Sequence, residues 1–266
     1  MTTLLLIDPQ NDFHTGSLAV PGAVEDAQRL VTALDPFLSS LARIIVTLDK
    51  HGVNDISHPG WFKDSEGNPP PPFTAVTSAD LEEGRWMVSR QEREVITRAY
   101  LRLLEESEGP HTIWPPHCIW GTWGGNVEPN VAELLHKWQS EHLRNVIYVE
   151  KGMNRYTEHF SAVRSCVPMP DDKATQTNRD FVDRIEASRK VIVAGQAMSH
   201  CVGKTMLDLL SSFRDPTCAR NLYLVTDATS PVPGFEDQAH EITRRIVAAG
   251  VNTVTCQQLH AVLATP

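Results

Sequence analysis

Apolar residues gather into six short runs: TLLLI at 3–7, RIIVTL at 43–48, NVIYV at 145–149, KVIVA at 190–194, NLYLV at 221–225 and NTVT at 252–255. Most are apolar at successive positions and rich in β-branched residues, the pattern of strands buried on both faces. Between them lie stretches with helical spacing, at about 23–41, 131–143, 177–187, 203–213 and 236–249. Strand and helix in alternation predict right-handed βαβ units and an α/β fold, a doubly wound parallel sheet with helices on both faces. One segment breaks the rhythm. Residues 57–112 hold a proline run, Pro69–Pro72, and a charged, helix-like stretch at Ser89–Glu108. No repeat or linker composition marks a boundary, so this segment reads as an insertion within one domain. It is either a lid or oligomer contact, or a solvated surface excursion.

Composition narrows the function classes. The chain has 266 residues and a formal net charge of −9, with no basic stripe, which argues against a nucleic-acid partner. No apolar run approaches the ~20 residues that span a bilayer. The N-terminal run is short and lacks a basic segment before it, so it reads as the first strand of a cytoplasmic protein. Five cysteines, odd in number and without a C-x-x-C pair, suit reduced thiols.

Doubly wound sheets collect ligands beyond the carboxyl ends of their strands. Asp8 follows the first run, Asp49 and His51 follow the second, Lys151 follows the third, and Gly195 to Cys201 follow the fourth. Cys201 stands where a helix begins. Free N–H groups and the positive dipole end there favour a thiolate and can hold an oxyanion, so Cys201 is the candidate nucleophile. Cys166, Cys218 and Cys256 read as small buried hydrophobes. Asp8 is the candidate base and Lys151 its cationic partner, expected to lower the pKa of both acid groups. His200 adjoins Cys201, but adjacent side chains diverge at a helix start, so it is a lesser candidate. Asp49 and His51 share a face at i, i+2, His117 sits in the stiff turn WPPHC, and His58 lies seven residues past His51. One carboxylate with two or three imidazoles suits zinc, iron or manganese. Phe13 and Trp114 form either a slot for a flat ring or ordinary core.

These segments together resemble the isochorismatase-like cysteine hydrolases, and among them the nicotinamidases. The matching stretches are LLLIDPQNDF (4–13), TLDKH (47–51), IWPPHCIWGTWG (113–124), VEKG (149–152), VAGQAMSHCV (193–202) and VTDAT (225–229). The resemblance implies a six-stranded parallel sheet with helices on both sides, the whole chain 1–266 forming one such domain. It implies a triad of Asp8, Lys151 and Cys201, and metal ligands Asp49, His51 and His117 with His58 as a fourth. It also implies a ring sandwich of Phe13 and Trp114, and a cis peptide at Gln196–Ala197. Gln196 would then lie against the substrate, and the Ala197 and Cys201 amides would form an oxyanion hole. The implied activity is metal-dependent hydrolysis of nicotinamide to nicotinate and ammonia through a cysteine thioester, serving NAD salvage. Zinc is the first choice of metal, NAD is not a cofactor, and a homo-oligomer is possible. The rival readings are the same chemistry on another small amide, which the long insertion favours, and a silent binding protein of the same fold. No role is assigned to Tyr156, Glu158 or His159.

Overall fold

The structure is a computed structural model that describes residues 1–264. Six parallel strands form one sheet: β1 (Thr2–Ile7), β2 (Arg43–Asp49), β3 (Ile147–Lys151), β4 (Lys190–Gly195), β5 (Leu222–Val225) and β6 (Asn252–Val254). Their order across the sheet is β6-β5-β4-β1-β2-β3. Each of the six apolar runs thus becomes a strand of the predicted doubly wound sheet. The order reverses beside β1, where the chain steps to β2 on one side and later returns to β4 on the other. That reversal opens a crevice at the carboxyl ends of the central strands.

Strand alternation explains the two cores. Leu4 and Leu6 of β1 point to one face and Leu5 and Ile7 to the other. The first face is covered by α1 (Ala23–Leu34), by α3 (Pro129–His142) and by α7 (Leu259–Ala264), with Leu30, Leu34, Leu135, Trp138 and Leu263 packed inward. The second is covered by α4 (Arg179–Glu186), α5 (Gly203–Ser212) and α6 (Glu236–Ala248). Between α1 and α3 in sequence, the insertion carries α2 (Glu94–Ser107).

Three boundaries differ from the periodicity. The helix expected over 23–41 is α-helical only to Leu34 and continues as a 3₁₀ turn, Asp35–Ser40. Pro36 has no N–H for the carbonyl one turn back, so the ladder tightens there. The third strand, expected at 145–149, lies two residues later. It is an edge strand with Tyr148 outward, and its register pairs Lys151 with Asp49 of β2. The helix-like stretch at 89–108 begins as a helix only at Glu94, after a 3₁₀ turn.

The insertion has a core of its own. Trp61, Phe62, Tyr100, Leu101 and Leu104 are buried together, and two short antiparallel pairs, Phe62–Lys63 with Met87–Val88 and Ala75–Val76 with His111–Thr112, close it. A merely solvated excursion is therefore excluded. Among the described residues, no helix is long and apolar enough to cross a membrane.

One backbone position is decisive for the central crevice. Gly195 ends β4 at φ +126°, and a Cβ there would lie 2.0 Å from the Ile7 carbonyl oxygen. Only glycine allows the two strand ends to approach this closely. Gly195→Ala is expected to lower stability by about 2 kcal/mol or more. Urea unfolding measures it, and a loss below ~0.5 kcal/mol, the scale of an ordinary surface change, would contradict this account.

Candidate active site

Parallel register delivers three charged groups to one point. Asp8 follows β1, Asp49 ends β2 and Lys151 ends β3. The Lys151 ammonium, 1% exposed, lies 3.0 Å from Asp8 Oδ2 and 2.9 Å from Asp49 Oδ1. It also donates to the His159 carbonyl at 2.9 Å and stands 3.6 Å from Cys201 Sγ. Burial works against its charge, but the Asp49 and Asp8 carboxylates outweigh that and hold its pKa well above the usual lysine value. The backbone at Asp8 is left-handed (φ +47°), a conformation uncommon outside glycine, and the Thr47 hydroxyl fixes its carboxylate. The Asp8 N–H also donates to Thr47 Oγ1 at 3.0 Å.

Cys201 lies in a π-helical turn, Met198–Val202, immediately before α5, and is buried. Here the electrostatic expectation needs correction. The thiol is pushed well above its ordinary pKa, first by burial, which outweighs the lowering effect of Lys151, and further by the neighbouring Asp8 and Asp49 carboxylates. Burial also raises the Asp8 carboxyl despite Lys151, and Asp49 adds to the rise. A nearby lysine alone predicts the opposite for both. Desolvation wins because the site is dry.

On the other side of Asp49 two imidazoles converge. Asp49 Oδ2 lies 3.0 Å from His51 Nε2 and 3.3 Å from His117 Nε2. The ligand atoms of the three residues are all within 4.8 Å of one another and all three residues are buried. His117 Nδ1 faces the Pro115 carbonyl at 2.9 Å, and His51 Nδ1 faces Asp55 Oδ2 at 3.2 Å. A proton on each Nδ1 satisfies those contacts and turns both Nε2 lone pairs toward Asp49. Two lone pairs and a carboxylate then meet, an arrangement that demands positive charge at its centre. The same demand is visible in His51, which Asp49 and Asp55 hold well above its usual pKa against the effect of burial. This donor set fits a divalent ion such as zinc. His58 packs beside the cluster, its ring 5.2 Å from His51 and 5.4 Å from His117. Its Nε2 accepts the His117 N–H at 3.4 Å, and burial with the neighbouring imidazoles pushes its pKa down to about 3.

A pocket joins the two halves, lined among others by Phe13, Asp49, Trp114, Ala197 and Cys201. The Gln196–Ala197 peptide is cis. Gln196 is not among the lining residues. Its amide donates to Asp26 at 2.9 Å and accepts from the Ser230 N–H at 3.2 Å, so the side chain is occupied behind the wall. His200 turns into an aromatic wall with Trp114, Phe160 and Phe235, and burial holds its pKa down at about 3.

Sequence reasoning missed several supporting groups. Asp55 orients His51. Gln10 clamps the Asp49 backbone by a 2.7 Å bond in each direction. Asp12 accepts the Cys118 N–H at 2.7 Å and holds the His117 loop. Gln10 and Asp12 lie inside PQNDF, so the motif itself was the signal. Asp55 stands four residues past His51, and that short spacing was its signal.

The chain is similar over nearly its whole length to curated proteins. It is 23% identical over 256 residues to the nicotinamidase of Saccharomyces cerevisiae, covering 96% of this chain and 99% of that one. It is 28% identical over 211 residues to the nicotinamidase of Escherichia coli, covering 78% and 75%. Among solved structures it superposes on an Acinetobacter baumanii nicotinamidase/pyrazinamidase with TM-score 0.62 at 21% identity, covering 97% of each chain. It also matches a Pyrococcus horikoshii pyrazinamidase in complex with zinc (TM-score 0.53, 19% identity, 96% and 98% covered). An isochorismatase family protein from Desulfovibrio vulgaris gives TM-score 0.54 at 18% identity, covering 99% and 98%. No family model matches. The superpositions establish that the chain shares the fold of these structures, the six-stranded parallel sheet with helices on both faces that the motifs implied.

Two measurements follow from the geometry. A raised thiol pKa leaves Cys201 protonated at neutral pH, so alkylation by iodoacetamide in the free protein is expected to be slow at pH 7. It should climb only above the ordinary thiol range near ~8.5. Peptide mass spectrometry against pH reads this, and rapid labelling at pH 7 would show a thiolate instead. Asp55→Asn should weaken divalent-metal affinity by roughly 10- to 100-fold by releasing His51. Chelator competition measures it, and unchanged affinity would remove Asp55 from the metal centre.

Proposed function

We propose that this chain is a nicotinamidase, a single hydrolase domain that converts nicotinamide to nicotinate and ammonia. The observation that carries this reading is one buried ammonium, Lys151, bridging Asp8 and Asp49 beside the Cys201 thiol. It joins a nucleophile and base to an Asp–His–His cluster across an aromatic-walled pocket. The similarity to curated nicotinamidases supports the same substrate.

The pyridine ring lies between Phe13 and Trp114, with its carboxamide toward Cys201. Asp8, raised by burial and sharing the Lys151 ammonium with the thiol, takes the Sγ proton as sulfur attacks the carboxamide carbon. The raised thiol pKa favours this coupled transfer over attack by a standing thiolate. The new oxyanion is received by the backbone N–H groups of Ala197 and Cys201. The C–N bond then breaks. Asp8 returns its proton to the departing nitrogen, which leaves as ammonia, and a thioester remains. Asp8 next removes a proton from water attacking the thioester carbon and returns it to the sulfur as the C–S bond breaks, which leaves the thiol and nicotinic acid, the latter ionising to nicotinate. Lys151 stays charged throughout and keeps Asp8 in place.

Asp49, His51 and His117, with His58 beside them, would hold a divalent ion, zinc by donor chemistry. Bound there, it would supply a Lewis-acidic position that fixes the ring nitrogen. Hydrolysis of the amide transfers no hydride and needs no NAD, and the nicotinate released would enter NAD salvage.

Ammonia release from nicotinamide tests the proposal. Cys201→Ala should lose at least about 10³-fold in kcat while still binding nicotinamide. Chelation should remove activity and added zinc restore it. Turnover that persists in Cys201→Ala would sink the mechanism.

A further inference from the structure

The pocket does not end at its aromatic wall. Glu158, Phe160 and His200 line it on one side and a second, larger cavity on the other. That cavity has a volume of about 280 Å³, and much of its wall comes from the insertion, including Phe73, Leu104, Glu108 and His111. A bare ring carboxamide occupies only the first compartment, so the second has no use in the reaction above.

Its charges are unevenly matched. Lys204 is paired with Glu108 on the far wall. His111 and His200 are kept neutral by burial. Glu158 is different. It is 3% exposed, its Oε1 accepts the His159 N–H at 2.9 Å, and its Oε2 has no hydrogen-bond partner. Among the described residues no lysine or arginine pairs with it. A buried carboxylate oxygen without a donor is costly, and a ligand N–H or ammonium would relieve it.

The insertion also fixes where this carboxylate sits. The Glu158 N–H donates to the Tyr100 hydroxyl at 3.3 Å, and that hydroxyl stands 3.1 Å from His111 Nδ1. His111 Nε2 faces the Ile56 carbonyl at 2.9 Å. The proton order that satisfies every group runs from the Glu158 amide to Tyr100, from Tyr100 to His111 and from His111 to the carbonyl. With two of its members on the insertion's own helix and strand, this chain of bonds holds Glu158 at the junction of the compartments.

We propose that the second cavity is a subsite for an extended substrate, a ring carboxamide bearing an amine substituent, with Glu158 as the residue that selects the amine. This rests on the nicotinamidase reading for the position of the ring, and deepens it by naming the substrate class. The subsite is occupied by the substituent while the carboxamide remains at Cys201.

Binding to the Cys201→Ala protein, read by calorimetry, tests this without turnover. The probes are nicotinamides carrying an aminomethyl group at each open ring carbon, each compared with its ethyl isostere. At least one aminomethyl isomer should bind about 10-fold or more tighter than its ethyl partner, the scale of a charge-assisted hydrogen bond. Adding Glu158→Gln should bring that ratio close to one, since glutamine keeps the acceptor for the His159 N–H and removes the charge. If that variant does not fold, Glu158→Asp withdraws the carboxylate by one carbon and should reduce the same ratio. No isomer with a preference, or a preference that survives both substitutions, would overturn the proposal. Nicotinamide hydrolysis by the unaltered protein is assayed separately. Its absence alongside a Glu158-dependent preference would refute the activity and keep the subsite, and its presence without the preference would do the reverse.

Discussion

A single buried ammonium organises this molecule. Lys151 carries its charge in a place water does not reach, and a buried charge persists only when it is paired and hydrogen-bonded. The partners are the carboxylates that end two neighbouring strands and a backbone carbonyl from the loop beyond. Removing any one of them would leave an uncompensated charge in the centre of the crevice. The same contacts fix the spacing between Asp8, beside Cys201, and Asp49, beside the two imidazoles. Asp8 and Asp49 therefore serve two half-sites, yet share one cation, and the electrostatics of either half depend on the other.

The sheet is what makes that convergence cheap. Parallel strands with Asp49 opposite Lys151 and Ile7 opposite Gly195 bring their carboxyl ends level. The glycine lets β4 close against β1, so the turn that carries Cys201 starts beside Asp8. Dryness is the other consequence of this packing. It raises the thiol and the Asp8 carboxyl together, and so favours a mechanism in which the proton moves as the bond forms. A site with the same residues but more water would hold a different resting state.

The insertion adds to this frame a wall with its own apolar core. Through Tyr100 and His111 it reaches Glu158, a residue outside the segment, and sets it at the edge of the reaction pocket. The segment that departs most from the rhythm of the sheet is thereby the one that walls the cavity beyond Phe160 and His200.

Sequence alone determined a good deal. The six apolar runs gave the strands, their rise to polar residues marked the sheet's functional edge, and residue type named Asp8, Lys151, Cys201, Asp49, His51 and His117 as the groups worth examining. These were legible because strand periodicity and strand-end chemistry are local. Tertiary structure decided the rest. Whether Lys151 or burial controls the thiol is a balance of distances and desolvation, which no spacing encodes. Gln196, which the family resemblance placed against the substrate, is held instead by Asp26 and Ser230, residues 170 and 34 positions away. Glu158 meets Tyr100, 58 positions away, only because an inserted helix folds over the sheet. Contacts of that kind depend on the whole chain's packing, and a local pattern carries no record of them.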